Sequence, residues 1–245
     1  MPTFANFLDV LPDPNNPIGS AGQPGGTAGQ SFANITLSQS NTAEPNRTIS
    51  GKLLNKSNKY NKWEIAIKYN PMTEAEFEPI YNFLLQKEGS RRPFYVSLPQ
   101  YREAKDATFA NNTINDLITI TATALTNAGV TSMEIEASEW SGNSYSTGLP
   151  KSGDLFTINP TTDSLHTKAY MITHVETHDL YQVLPTSGSI RIHFSPRLQR
   201  QTPLGADILF GNPLIQVSQA ADVREYKLNT ENLYSFSLIL EEAFN

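Results

Sequence analysis

Residues 62–69 read Lys62-Trp63-Glu64-Ile65-Ala66-Ile67-Lys68-Tyr69. Successive side chains of an extended strand point to opposite faces, so Trp63, Ile65, Ile67 and Tyr69 share one face while Glu64 and Lys68 share the other. This is a strand with one buried side, and Asn70-Pro71 ends it. A helix is predicted next. Thr73 followed by Glu76 forms a capping box, in which hydroxyl and carboxylate satisfy orphan amides of the first turn. Phe77, Ile80, Tyr81, Leu84 and Leu85 then recur at helical spacing as one apolar stripe, and Gly89 supplies the stop. Pro79 removes one ladder hydrogen bond, but the cap and the stripe outweigh it. Arg91-Arg92-Pro93 leads into a further strand at 94–98, ended by Pro99.

The same style extends outward from this block. Phe32, Ile35 and Leu37 stand in a polar background from Ser31 on, a turn is expected at Glu44-Pro45-Asn46, and Thr48-Ile49-Ser50 follows it. Near the other end, Leu214-Ile215-Gln216-Val217 reads as a strand, as does Leu233 to Leu240. In the latter, Tyr234, Phe236, Leu238 and Leu240 form the apolar face and Leu233, Ser235, Ser237 and Ile239 the opposite one. Between them, 108–197 reads as short strands only, at 117–122, 132–137, 154–158, 169–175, 180–184 and 189–194. They are separated by turn residues such as Asn127-Ala128-Gly129 and Lys151-Ser152-Gly153. Short strands without helix signals imply a small barrel or sandwich. The predicted fold class is therefore α+β, mainly β: one domain of residues 31–107 and 198–245 with a packed helix, and an all-β module inserted at 108–197.

Residues 1–30 differ from the rest. Five prolines alternate with five glycines, and no Lys or Arg occurs before Arg47. Such a stretch buries too little apolar area to offset its ordering entropy alone. It is either a loose tail or an extended arm that orders on a neighbouring subunit, with Phe4, Phe7, Leu8, Val10 and Leu11 as its anchors. The arm reading predicts that a chain lacking residues 1–28 folds but assembles poorly.

Composition narrows the function classes. The 245 residues are 38% hydrophobic and only 17% charged, with no cysteine and a net charge of −6. The absence of cysteine excludes disulfides, thiol nucleophiles and cysteine-based metal sites. The acidic balance argues against a free nucleic-acid binder. No apolar run is long enough to cross a membrane, and the opening residues lack the basic segment of a secretory signal. Their order gives no nucleophile elbow and no phosphate loop. His174 and His178 are four apart without a third ligand, and read as turn histidines rather than a metal site. Glu74/Glu76/Glu78, Glu134/Glu136 and Glu241/Glu242 could in principle serve as acid–base pairs, but Glu74 and Glu76 read as helix-dipole groups, Glu134 and Glu136 as a strand's solvated face, and Glu241 and Glu242 as surface or interface groups. No catalytic residue, metal or cofactor is expected, and the chain is not expected to be an enzyme. Arg91, Arg92, Arg197 and Arg200 form the notable basic set, open to phosphate or DNA contact but better suited, with so few Lys and Arg overall, to an intersubunit ion pair or to capping the helix end. Trp63 belongs to the core face. Trp140, beside Ser141-Gly142-Asn143, is the candidate exposed aromatic contact.

One ordered combination is more specific. Trp63-Glu64-Ile65-Ala66-Ile67-Lys68-Tyr69-Asn70-Pro71-Met72-Thr73-Glu74-Ala75-Glu76-Phe77 leads through Tyr81-Asn82-Phe83-Leu84-Leu85 to Phe94-Tyr95-Val96-Ser97-Leu98-Pro99. Lys151-Ser152-Gly153-Asp154-Leu155-Phe156-Thr157-Ile158, Lys168-Ala169-Tyr170-Met171-Ile172-Thr173, Ile190-Arg191-Ile192-His193-Phe194-Ser195-Pro196-Arg197-Leu198 and the closing Leu233 to Ala243 follow in order. Over about residues 45–245 the chain resembles the tail-tube-like proteins of tailed bacteriophages that join the tube to the baseplate. The resemblance implies a tail-tube-like β-sandwich or barrel domain carrying an inserted small β-barrel. It also implies a structural subunit in a ring, expected to be a hexamer, that initiates or extends the tail tube and lets DNA pass. Its partners would be copies of itself, the tail tube protein and baseplate hub or spike proteins. It would reside in the virion, after assembly in the host cytoplasm and without membrane insertion. Interface candidates are Phe4, Phe7, Leu8, Leu11, Arg91, Arg92 and Trp140. Two alternatives remain: a distal tail or peripheral baseplate adaptor, and a carbohydrate-binding module using Trp140, Tyr145 and the 141–147 loop.

Overall fold

A computed structural model describes residues 9–17, 31–40, 43–47, 49–51, 53–57, 61–137, 140, 148–159, 161–176, 188–221 and 225–243. Strands β1–β14 and helices α1 and α2 are numbered in chain order. The fold is α+β and mainly β, with a half-barrel sheet in one unit and a nearly closed barrel in the other. The sheet unit comprises Phe4–Ser40, Lys62–Ser97 and Ile215–Asn245, and the barrel unit includes Asn41–Asn61 and Leu98–Leu214.

In the sheet unit, β1 (Phe32–Ser40), β4 (Lys62–Tyr69), β14 (Tyr234–Glu242), β12 (Leu214–Gln219) and β5 (Phe94–Ser97) lie side by side in that order, and β13 (Tyr226–Leu228) also pairs with β14. The alternation expected in β4 is complete: Trp63, Ile65, Ile67 and Tyr69 are buried, and Lys62, Glu64, Ala66 and Lys68 are exposed. Antiparallel register aligns the apolar rows across three strands. Ile65 stands opposite Leu37 and Leu240, and Ile67 opposite Ile35 and Leu238. Cross-strand pairs of this kind are the unit of sheet stability.

Helix α1 (Glu74–Gln86) covers the buried face. Its capping box forms: Glu76 Oε2 accepts the Thr73 N–H at 2.9 Å and the Thr73 hydroxyl at 2.8 Å. The helix continues through Pro79, and Gly89 takes the left-handed conformation, φ 71°, after its end. The buried stripe is turned from the expected one. Phe77, Ile80, Phe83 and Leu84 are buried, whereas Leu85 is exposed. Phe83 meets Phe94 of β5 edge-on at 5.4 Å, which draws the stripe toward position 83.

The barrel unit contains β6 (Ile120–Ala122), β7 (Ser132–Ala137), β8 (Leu155–Ile158), β9 (Ala169–Glu176), β10 (Ser189–Ser195) and β11 (Ile208–Leu209), ordered β11-β8-β9-β10-β7-β6. The two ends meet. Thr121 bridges Asp207, the Ala122 N–H donates to the Ala206 carbonyl at 3.0 Å, and the Gly205 N–H donates to the Ala122 carbonyl at 2.8 Å. Phe156, Tyr170, Phe194 and Phe210 pack as interlocking rings inside, with centroids 5.3–5.5 Å apart. The strand expected at 180–184 lies outside the described residues.

Two sequence expectations are corrected here. Residues 107–114 form a helix, α2 (Ala107–Ile114), in a region read as strands only. Asp106 caps it by accepting the N–H groups of Thr108 and Phe109, and Phe109 is fully buried in the barrel core. Packing of one aromatic outweighs the low helix propensity of Asn and Thr. The core also draws on Leu198, Ala206, Ile208 and Phe210, and the longest stretch of the barrel unit runs from Leu98 to Leu214. Finally, Glu44-Pro45-Asn46 is not a turn. It lies within β2 (Ala43–Arg47), paired with β3 (Leu53–Ser57) in a two-stranded ribbon. An edge strand tolerates a residue that has no N–H.

Candidate assembly surfaces

The two edges of the half-barrel sheet are unlike. At one, Val10 bridges Tyr95 of β5 in parallel, and the Leu11 N–H donates to the Tyr95 carbonyl at 2.7 Å. Leu11 is 1% exposed. Lys87 Nζ reaches Asp9 Oδ1 at 2.7 Å and lies over the Phe83 ring, which ties the segment to the end of α1. Asp13 then accepts the Asn15 and Asn16 N–H groups and closes a tight turn. The chain's own residues 9–13 therefore cover this edge.

At the other edge stands β1, Phe32-Ala33-Asn34-Ile35-Thr36-Leu37-Ser38-Gln39-Ser40. It pairs with β4 along its length, and no strand among the described residues lies along its outer side. Strand edges are ordinarily protected by Lys, Pro, short length or cover. β1 is nine residues long and has no charge and no proline. Its single irregularity is a bulge between Phe32 and Asn34. Ile35 and Leu37, in register with fully buried partners on β4, are themselves only half-buried.

The outer face of this sheet is made of small polar and charged side chains. Rows across β1, β4 and β14 read Asn34–Lys68–Ser237, Thr36–Ala66–Ile239 and Ser38–Glu64–Glu241. Ile239 is 62% exposed among them. Glu64 and Glu241 face each other directly, an arrangement that costs stability in an isolated sheet. The next residue, Glu242, was grouped with Glu241 as a surface or interface group. It is instead 1% exposed, with Oε2 accepting the Trp63 N–H at 3.1 Å.

Of the interface candidates, Phe4, Phe7 and Leu8 lie outside the described residues, as do His178 and Tyr145. Leu11 is in the core of its own unit. Arg91 and Arg92 are 75% and 60% exposed and share the Glu88 carboxylate, at 2.7 and 3.4 Å. Arg200 pairs with Asp163 at 2.7 Å, and an Arg197 N–H donates to the Gly129 carbonyl. Trp140 is a correction. It is 6% exposed, packs beside Phe109, and donates its indole N–H to the Gly148 carbonyl at 3.0 Å. Its Ser-Gly-Asn neighbours suggested an exposed turn, but the ring folds inward against α2. His174 is exposed on β9 beside His193, whose ring nitrogen lies 2.8 Å from Glu176. Among the described residues no group of three or more potential ligands is suited to a metal. Glu134 accepts from Arg191 at 2.6 Å on the barrel's outer side.

Sequence reasoning missed a polar knot within the barrel unit. His166 is fully buried, with Nε2 2.7 Å from the Tyr170 hydroxyl, which accepts the Gln199 N–H at 2.9 Å. Tyr170 is thus placed to donate to an unprotonated Nε2. Burial lowers the His166 pKa to about 4; Asp163 opposes this, and Arg200 and Lys168 add to it. Burial also disfavours the Asp163 carboxylate, yet the hydrogen bonds from Arg200 and the Leu165 N–H hold its pKa below the usual value. Lys168, 3% exposed, donates from Nζ to the Asn61 carbonyl at 2.7 Å. The only advance signal was a histidine four residues before a tyrosine at the start of an apolar strand.

The chain matches no protein-family model, and no curated protein matches it.

Proposed function

We propose that this chain is a structural subunit of a bacteriophage tail, forming a ring at the junction of tube and baseplate that initiates or extends the tube. The observation that carries the reading is the outer edge of β1, along which no strand lies among the described residues: a nine-residue, uncharged, proline-free strand, the kind of edge that a partner strand completes. Closing a ring of sheets removes such edges from every subunit at once. The half-burial of Ile35 and Leu37 supports the same reading, since a neighbouring strand completes their cover. The net charge of −6 suits a conduit, because a basic lumen would hold passing phosphates. Copies of the chain, the tail tube protein and hub or spike proteins are the proposed partners. A carbohydrate-binding role loses its best aromatic platform with the burial of Trp140.

Sizing and electron microscopy of the purified chain test the proposal. Rings or short stacks are expected, together with their loss in Thr36→Lys, which places a charge on the open edge. A chain that stays monomeric at every concentration and binds glycans on an array would overturn it.

A further inference from the structure

The sheet unit carries a second surface feature, at the N-terminal end of α1. Phe77 stacks on Tyr234 with centroids 4.6 Å apart and planes 10° apart, and on Tyr81 at 5.1 Å. Tyr226 of β13 completes the group, 5.5 Å from Tyr81 and 5.6 Å from Tyr234. Phe77 is buried beneath, Tyr81 and Tyr234 are half-buried, and Tyr226 is 47% exposed. The three tyrosine rings therefore pack against one another over a buried base, with Tyr226 the most exposed of them. Glu74 and Glu78 are exposed and, four residues apart on α1, lie on the same helical face as Tyr81. The Tyr234 hydroxyl pKa is raised by desolvation and by its neighbours Glu74, Tyr226 and Glu78, in keeping with both acids lying near the aromatic group.

Aromatic faces edged by carboxylates attract a cation, and a planar guanidinium most of all, because it stacks on the ring while its N–H groups bind the carboxylates. The far end of α1 holds the complement. Arg91 and Arg92 follow the helix and share a single carboxylate, Glu88, leaving excess positive charge on exposed side chains. A helix of 13 residues separates the two patches by about 20 Å, too far for them to meet within one chain. Unlike patches at opposite ends of one rigid element define a head-to-tail contact, the kind that closes rings.

We propose that Tyr81, Tyr226, Tyr234, Glu74 and Glu78 form a guanidinium-binding platform that receives Arg91 or Arg92 of a second copy of this chain. The contact rests on the ring reading above and adds to the pairing of β1 a second joint, one that fixes the orientation of each subunit toward the next.

Charge reversal tests it. Arg91→Glu with Arg92→Glu in one variant, and Glu74→Arg with Glu78→Arg in another, alter exposed residues only, and thermal melts check that both remain folded. Each variant alone is expected to associate at least tenfold more weakly than the unaltered chain in sedimentation velocity. Mixing the two restores opposite charges at every joint of an alternating ring, so the mixture is expected to reassemble. Tyr226→Ser is expected to weaken assembly without restoration in either mixture. If the unaltered chain forms rings and both charge variants form them equally well, the platform is overturned while the ring reading stands. If the unaltered chain is monomeric throughout, the ring reading falls and takes this contact with it.

Discussion

The barrel and the half-barrel sheet solve the same problem in opposite ways. Both must pair the backbone groups of their outermost strands. The barrel does so internally, by bringing β6 to the residues before β11 through Thr121, Ala122, Gly205 and Asp207. The sheet covers one edge with residues 9–13, and at β1 no strand among the described residues lies along the outer side. A closed sheet is complete as a monomer, and an open one reaches its lowest free energy only with a partner. The difference teaches where to look for assembly: at the strand whose outer side is completed by no strand among the described residues.

The largest expected effect lies in the closed half. Phe156→Ala removes a ring from a group of four, and cavity formation is expected to cost about 3–5 kcal/mol in urea melts. A loss below about 1 kcal/mol would show that the barrel is not the self-sufficient body described. Next comes acid. His166 has a folded pKa of about 4 against an ordinary value of 6.5, so the unfolded chain binds its proton first. The stability due to keeping this imidazole neutral is whole above pH 6.5 and declines as pH falls toward 4, by about 2–3 kcal/mol at pH 4.5. His166→Gln is expected to flatten that decline. An unchanged slope would place the acid sensitivity elsewhere.

A third test addresses the covered edge. The arm reading expected a folded domain after deletion of residues 1–28, but Val10 and Leu11 are buried on β5 within their own unit. Deleting residues 1–17 is therefore expected to destabilise the sheet unit by about 2–4 kcal/mol, measured by denaturant unfolding. If stability is unchanged, the two edges are equivalent and the contrast between them fails. The smallest expected effect is that of Thr36→Lys on the monomer, within about 0.5 kcal/mol, although the same change is expected to abolish assembly. A large loss of monomer stability would mean that β1 is already covered.

Much of the sheet was legible because its signals are local and periodic. Trp63, Ile65, Ile67 and Tyr69 announced β4, Phe236, Leu238 and Leu240 announced the buried side of β14, and Thr73 with Glu76 announced the start of α1. Where the signal is tertiary, the reading failed. α2 is tied to Phe109 entering the barrel core, β11 is two residues long, and Trp140 packs beside Phe109 of α2. The open edge was half visible. The absence of charge and proline in 32–40 stands in the sequence, but which strand is outermost depends on the sheet order. The tyrosine platform was invisible for the same reason, since Tyr81, Tyr226 and Tyr234 belong to three elements that meet only in the fold.

The neutrality of β1 has a consequence for the conditions under which a joint made there survives. Electrolyte screens interactions between charges and leaves backbone hydrogen bonds between neutral strands almost untouched. Any strand that pairs with Phe32–Ser40 is therefore held with nearly the same strength in dilute buffer and in concentrated salt. An arginine-to-glutamate contact elsewhere on the same unit loosens as ionic strength rises. A subunit with both kinds of joint separates, by salt alone, the contact that orients it from the contact that holds it.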